Sequence, residues 1–93
     1  MDDVTVENNR ERSRYELRTG DDVVGVADYF VVDGRVVFPH TEIAPARRGL
    51  GLGERLVRYA LEDVRTTGMR IEPRCWFVAE FIDLNPEFAD LVA

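Results

Sequence analysis

The stretch Pro45-Ala46-Arg47-Arg48-Gly49-Leu50-Gly51-Leu52-Gly53-Glu54-Arg55-Leu56 decides how the rest of the chain is read. Three glycines on alternate positions follow an arginine pair, and an amphipathic pattern starts directly behind them. Glycine admits positive φ and lets backbone approach a ligand closely. A helix N-terminus adds unpaired N–H groups and the positive end of the dipole, a combination suited to phosphate. The stretch therefore reads as an anion cradle between a strand and a helix. The plainer reading is a glycine-rich turn that feeds a strand into a helix. Such a turn does not need three glycines, each of which has an entropic cost.

Upstream of the cradle the chain reads as strands. Val4 and Val6 suggest a short strand or an arm, and Tyr15 and Leu17 alternate with Arg14, Glu16 and Arg18 over residues 12–18. After the turn Thr19-Gly20-Asp21-Asp22, residues 23–32 are rich in β-branched and aromatic side chains. Asp33-Gly34 is a two-residue hairpin signal, since a type I′ turn needs positive φ at both positions. Residues 35–43 return, and Pro45 closes the strand. An unbroken ladder would set Tyr29 opposite Phe38 and Ala27 opposite His40. Tyr29, Phe38, His40 and Glu42 would then share one face, with Tyr15, Leu17, Val24, Val26, Phe30 and Val37 on the other.

Downstream, Leu52, Leu56, Ala60 and Val64 recur every four residues beside Val57 and Leu61, which predicts an amphipathic helix over 51–67. Gly68 suits its C-terminal cap. Residues 69–75 form a short strand, parallel to the strand before the cradle because a helix joins the two. Phe77, Val78, Phe81 and Ile82 predict a second helix, ended by Asn85-Pro86. The fold class is α+β: an antiparallel meander of three to four strands, the glycine loop, a long helix, a parallel strand and short C-terminal helices, all within one domain spanning residues 1–93.

Composition narrows the function. Of 93 residues, 45% are hydrophobic and 32% charged, as in an ordinary globular chain. The net charge of -6 argues against a nucleic-acid binder. All 12 positive charges are arginine, so lysine chemistry is excluded. One cysteine allows no internal disulfide and fits a reducing compartment. No apolar run approaches the roughly 18 residues of a membrane span, and the acidic start Met1-Asp2-Asp3 is wrong for a signal peptide. A cytoplasmic protein, free of membrane and nucleic acid, is expected. One His and one Cys make no metal set.

Two familiar phosphate motifs fail. A Walker A loop needs a lysine, and a dinucleotide fingerprint needs a glycine where Glu54 or Leu56 stands. Arg48-Gly49-Leu50-Gly51-Leu52-Gly53, with a strand before and a helix after, instead resembles the Arg/Gln-x-x-Gly-x-Gly/Ala signature of the GNAT acetyltransferase superfamily. More narrowly, the chain resembles the small single-domain YjdJ-type branch. That likeness rests on Ser13-Arg14-Tyr15-Glu16-Leu17, His40-Thr41-Glu42-Ile43, Pro73-x-Cys75-x-Phe77-Val78 and Asn85-Pro86-Glu87-Phe88-Ala89-Asp90-Leu91.

The resemblance implies acetyl-coenzyme A as co-substrate and an amine acceptor, small molecule or protein. It implies that the backbone N–H groups of Arg48, Gly49, Leu50, Gly51, Leu52 and Gly53 hold the pyrophosphate, with the Arg47 and Arg48 side chains adding charge. The N–H of Ile43 would polarise the thioester carbonyl, and Asn85 would either reach coenzyme A or cap a turn. Ordinary members carry two further helices between their first strands, for which the Gly20 turn is too short. The acceptor side is thus expected to be open, or completed by a second subunit or the partner, with monomer and homodimer both admissible. Members also often protonate the leaving thiolate with a tyrosine, and none follows Tyr59 here.

The catalytic candidates are His40, Cys75 and Glu42. His40 is the lone histidine, and imidazole suits a base at neutral pH; its plainer reading is a strand histidine satisfied by backbone or solvent. Cys75 is either a nucleophile and acyl-site thiol or a small buried hydrophobe. Glu42 is the alternative base, with Glu16 and Glu72 behind it. Trp76 either covers the acyl site or packs in the core. The function expected is acetyl-coenzyme A-dependent N-acetyl transfer; the alternative is a non-catalytic acyl-coenzyme A-binding or protein-interaction module.

Overall fold

The computed structural model describes residues 4–93, so Met1-Asp2-Asp3, on which the leader reading rests, lie outside it. Four antiparallel strands come first: β1 (Val4–Asn9), β2 (Arg14–Thr19), β3 (Asp22–Val32) and β4 (Arg35–Ile43). A 3-10 turn (Pro45–Arg47) leads through the glycine loop into α1 (Leu52–Thr67). Then come β5 (Arg70–Pro73), α2 (Trp76–Leu84) and a closing 3-10 segment (Pro86–Leu91). The strands lie in sequence order, and β5 runs parallel to β4. Among the described residues, no helix is long and apolar enough to cross a membrane.

The hairpin forms where the sequence placed it: Val32 pairs with Arg35. Asp33 has φ 50° and Gly34 φ 74°, as a type I′ turn requires. α1 buries Leu52, Leu56, Val57, Ala60, Leu61 and Val64 against the sheet, each of the larger ones contributing roughly 1.5–3 kcal/mol. Its C-terminus stops at Gly68, which adopts φ 78°.

The expected assignment of faces is overturned by two bulges. Between β3 and β4 the register slips so that Asp28, not Ala27, opposes His40. The extra residue falls in Phe38-Pro39 opposite Tyr29, a place where a proline lacking an N–H is tolerated. One inserted residue reverses every side chain beyond it. Phe38 stays on the face of Tyr29, and the β2–β3 register, which pairs Tyr15 with Ala27, brings Tyr15 to them. The Phe38 ring centroid lies 6.2 Å from that of Tyr15 and 6.3 Å from that of Tyr29, on the face that α1 covers. Thr41 and Ile43 join that face through their partners Ala27 and Gly25. His40 and Glu42 turn outward, and Phe30, expected in the core, is 43% exposed. A second bulge between β2 and β3 frees Val24 into the core and leaves Val26 on the outer face.

The two helices share one core cluster on the inner face, where Gly53 of α1 meets Phe77 of α2. The outer face carries Glu16, Val26 and Glu42 in one cross-strand row. Glu16 is 1% exposed there, held by Arg14 Nε at 2.7 Å, Arg18 Nη2 at 2.9 Å and Asn9 Nδ2 at 3.1 Å.

Candidate functional site

β4 is longer than its parallel neighbour. Their pairing ends at Phe38 opposite Pro73, and the Cys75 N–H closes the junction by donating to Phe38 O at 2.9 Å. Beyond it the chain turns into α2, so residues 40–43 keep only β3 beside them. A cleft of about 730 Å³ opens between this strand end, the glycine loop and Trp76-Phe77. The Ala44 N–H donates to Val24 O at 2.8 Å, toward β3. Strand alternation turns the N–H of Ile43 the other way, into the cleft.

The loop is shaped to leave donors open. Arg48 Nε donates to Ile43 O at 3.0 Å, which ties the loop to the strand. Gly49 and Gly51 adopt φ 81° and 75°, so an L side chain at either would be strained. Gly51 is the N-cap of α1 and supplies no capping side chain, so the first N–H groups of the helix keep their donor capacity. Gly53 meets a different demand: a Cβ there would stand 2.7 Å from Phe77 Cζ. The spacing of three glycines is thus two backbone conformations and one close approach. Arg47 and Arg48 line the same cleft, as do Glu54 in the first turn of α1 and His40 and Glu42 on β4. The cleft wall thus carries two guanidinium groups, two carboxylates and an imidazole.

His40 Nε2 lies 3.1 Å from Glu42 Oε1, with both side chains more than half exposed. The imidazole is oriented by the carboxylate two residues along its own strand. Cys75 is elsewhere. It is 8% exposed, caps the start of α2, and its Sγ lies 3.6 Å from Thr41 Oγ1. Burial pushes its thiol up, but the Thr41 hydroxyl and the N–H groups of Val78 and Phe77 outweigh that and hold it below its ordinary value. The sheet brings Cys75 to Thr41, and it sets His40 on the opposite face. A Cys75–His40 nucleophile–base pair is not what this geometry forms.

The remaining candidates divide. Ile43, Arg47, Arg48, Gly49, Gly51, Leu52 and Gly53 line the cleft. Leu50 stands 61% exposed on the loop. Asn85 caps instead: its Oδ1 accepts from Arg58 Nη2 at 2.9 Å and its Nδ2 donates to Phe81 O at 2.8 Å. Glu16 is held in its arginine clamp, and Glu72 pairs with Arg74 and Arg35. Trp76 is 72% exposed at the cleft rather than in the core. Thr41 and Phe77 also line the cleft, although the sequence motifs that contain them gave neither a role at the site. Thr41 had a signal, since it alternates with His40 and Glu42 and must face the other way.

A GCN5-related N-acetyl-transferase family description matches residues 14–91, most of the chain. The chain belongs to that family. It is similar to Protein NATD1 of Bos taurus, with 33% identity over 85 residues, covering 89% of this chain and 75% of that one. A GCN5-like putative N-acetyltransferase from Staphylococcus aureus has the same fold, with a TM-score of 0.74 at 20% identity, covering 100% of this chain and 91% of that one. The ribosomal-protein-S18-alanine N-acetyltransferase of Escherichia coli superposes with a TM-score of 0.62 at 19% identity, over 71% of this chain and 44% of that enzyme. The GNAT likeness read from the Arg48–Gly53 motif is thereby established, as is a mixed sheet with one parallel pair.

Proposed function

We propose that the protein is a cytoplasmic N-acetyltransferase that moves the acetyl group of acetyl-coenzyme A to an amine. The observation that carries this reading is the glycine loop that opens into the uncapped start of α1 at the cleft. The uncapped N-terminus of α1, Arg47 and Arg48 suit a pyrophosphate, and the cleft volume of about 730 Å³ suits an extended ligand. Backbone N–H groups from Gly49 to Gly53 hold the anion, including that of Leu50, whose side chain points to solvent, while the Arg48 N–H donates to Pro45 O at 3.4 Å and leaves its side chain to contribute. Ile43 N–H donates to the thioester carbonyl, where charge develops.

On β4 His40 takes the proton from the amine, and Glu42, 3.1 Å from its Nε2, orients the imidazole. The amine nitrogen bonds to the acetyl carbon, the C–S bond breaks, and coenzyme A leaves as a thiolate that takes up a proton. Transfer is direct, because Cys75 faces Thr41 and not a base. Asn85 serves the fold through Arg58 rather than coenzyme A.

Calorimetric titration with acetyl-coenzyme A tests the reading. Micromolar binding that weakens in Arg48→Ala is expected, and no heat up to millimolar ligand would sink it. The absence of any tyrosine after Tyr59 to protonate the leaving thiolate favours a second reading, an acyl-coenzyme A-binding module without turnover. Thiol release in an amine screen, lost in His40→Ala with binding retained, would eliminate that reading.

A further inference from the structure

Gly25 is a glycine that its own backbone does not require. It lies inside β3, and its φ is not positive, unlike those of Gly49 and Gly51. A glycine within a strand has an entropic cost and often marks a close approach by a neighbour. Here the approach comes from Ile43, its partner across the β3–β4 ladder. A Cβ on Gly25 would stand 2.6 Å from Ile43 Cδ1, 3.3 Å from Leu17 Cβ and 3.4 Å from Glu42 O. The Ile43 side chain therefore leans across β3, away from the β5 side of its strand where the cleft opens. Its terminal methyl sits where the missing Cβ would be.

The backbone of Ile43 has little freedom to answer a change at this seat. Its C=O accepts from Arg48 Nε at 3.0 Å, and the next N–H, that of Ala44, donates to Val24 O at 2.8 Å. The side chain has to yield instead, and its choices are few. Toward β2 the seat is closed by Leu17, which is fully buried. Above it the inner face is packed in the core cluster under α1. The cleft, which Ile43 lines, is the direction left for Cδ1. A methyl turned that way would stand at the thioester end, beside the Ile43 N–H.

We propose that Gly25 is a positioning residue for the acyl group: by seating Ile43 Cδ1 over β3, it keeps the space beside the Ile43 N–H open for the acetyl moiety. This rests on the acetyltransferase reading of the cleft, in which that N–H faces the thioester carbonyl. Gly25 does not itself line the cleft and acts through Ile43 alone.

The test uses the full chain and calorimetric titration with coenzyme A and with acetyl-coenzyme A, so that no acceptor is needed. In Gly25→Ala the affinity for acetyl-coenzyme A is expected to fall about tenfold, the scale of one misplaced methyl group in a pocket. The affinity for coenzyme A, which has no acyl group to place, is expected to stay within about twofold. Adding Ile43→Val, which removes Cδ1, is expected to bring the ratio of the two affinities back to within about threefold of the unaltered chain. A glycine with a merely structural role would weaken both ligands alike or neither, and either result overturns the proposal. So does a selective loss that Ile43→Val does not repair. Thermal melting establishes whether Gly25→Ala folds. Should it not fold, Ile43→Phe carries the test, because its ring overfills the seat while Gly25 stays; the same selective loss is expected, and an unchanged ratio overturns the proposal. If neither ligand binds the unaltered chain, it is the underlying reading that fails.

Discussion

Cys75 Sγ and Thr41 Oγ1 lie 3.6 Å apart where β4 meets the start of α2. The contact exists because the bulge at Phe38-Pro39 turns Thr41 inward, and because the Cys75 N–H anchors the helix start to Phe38. The thiol is thus held by a hydroxyl and by helix N–H groups, all of which favour the thiolate. Alkylation by a small reagent such as iodoacetamide is expected to follow a pH midpoint below that of an ordinary thiol. Thr41→Val should move the midpoint upward, while His40→Ala should leave it in place. A midpoint that follows His40 would show that the imidazole reaches the thiol after all.

Glu16 supplies a pH dependence. Burial pushes its carboxyl up, but hydrogen bonds from Arg14, Asn9 and Arg18 outweigh this and hold it below its ordinary value of 4.5. A group with a lowered folded pKa stabilises fully above the unfolded value, and that stability is lost as pH falls through the folded value. Glu16→Gln is expected to cost about 2 kcal/mol at neutral pH, since the arginines shield the carboxylate but solvent lies close by. The variant should also lose less stability than the parent on acidification below pH 4.5. Urea denaturation at neutral and acid pH measures both effects.

Gly51 and Gly53 should fail differently when changed to alanine. At Gly51 there is space for a Cβ but φ is 75°, so the cost is backbone strain of about 1–2 kcal/mol. At Gly53 the Cβ meets the far end of the Phe77 ring, which can swing aside at about 1 kcal/mol. Because Phe77 lines the cleft, Gly53→Ala is expected to weaken acetyl-coenzyme A binding more than its stability loss suggests. Thermal melting and calorimetry on the two variants separate these costs.

Arg58 ties the C-terminal segment to α1. Its guanidinium lies 5.3 Å from the Phe81 ring centroid and 5.5 Å from that of Phe88, and it donates to Asn85 and Glu87. Arg58→Ala is expected to destabilise by about 1–2 kcal/mol, and Arg58→Lys should recover little, because a point charge cannot stack on two rings and fork to Asn85. Chemical denaturation of both variants checks this. Asn85→Ala should lower stability through the same contact while leaving acetyl-coenzyme A affinity within about twofold.

Much of this was written locally. Asp33-Gly34 specified its turn through φ alone, and the four-residue repeat from Leu52 to Val64 specified α1 and its buried face. The Arg48–Gly53 motif lies in the cleft wall as a continuous segment, which is why it could be read without the fold. Trp76 could not be placed that way. Its exposure depends on where α2 starts relative to the end of β5, which is a property of packing.

The sequence by itself determined the elements, the family signature and the glycine loop, because each depends on backbone preferences or spacing within a single segment. Only the tertiary structure decided which residues face one another. A single extra residue at Phe38-Pro39 moved Thr41 to the inner face and His40 and Glu42 to the outer one. A period-two pattern carries no mark of that insertion, because the bulge is stabilised by pairing with β3 and by packing under α1 rather than by the strand's own composition. The loop and its glycines were legible in the sequence, but the contact of Cys75 with Thr41 was not.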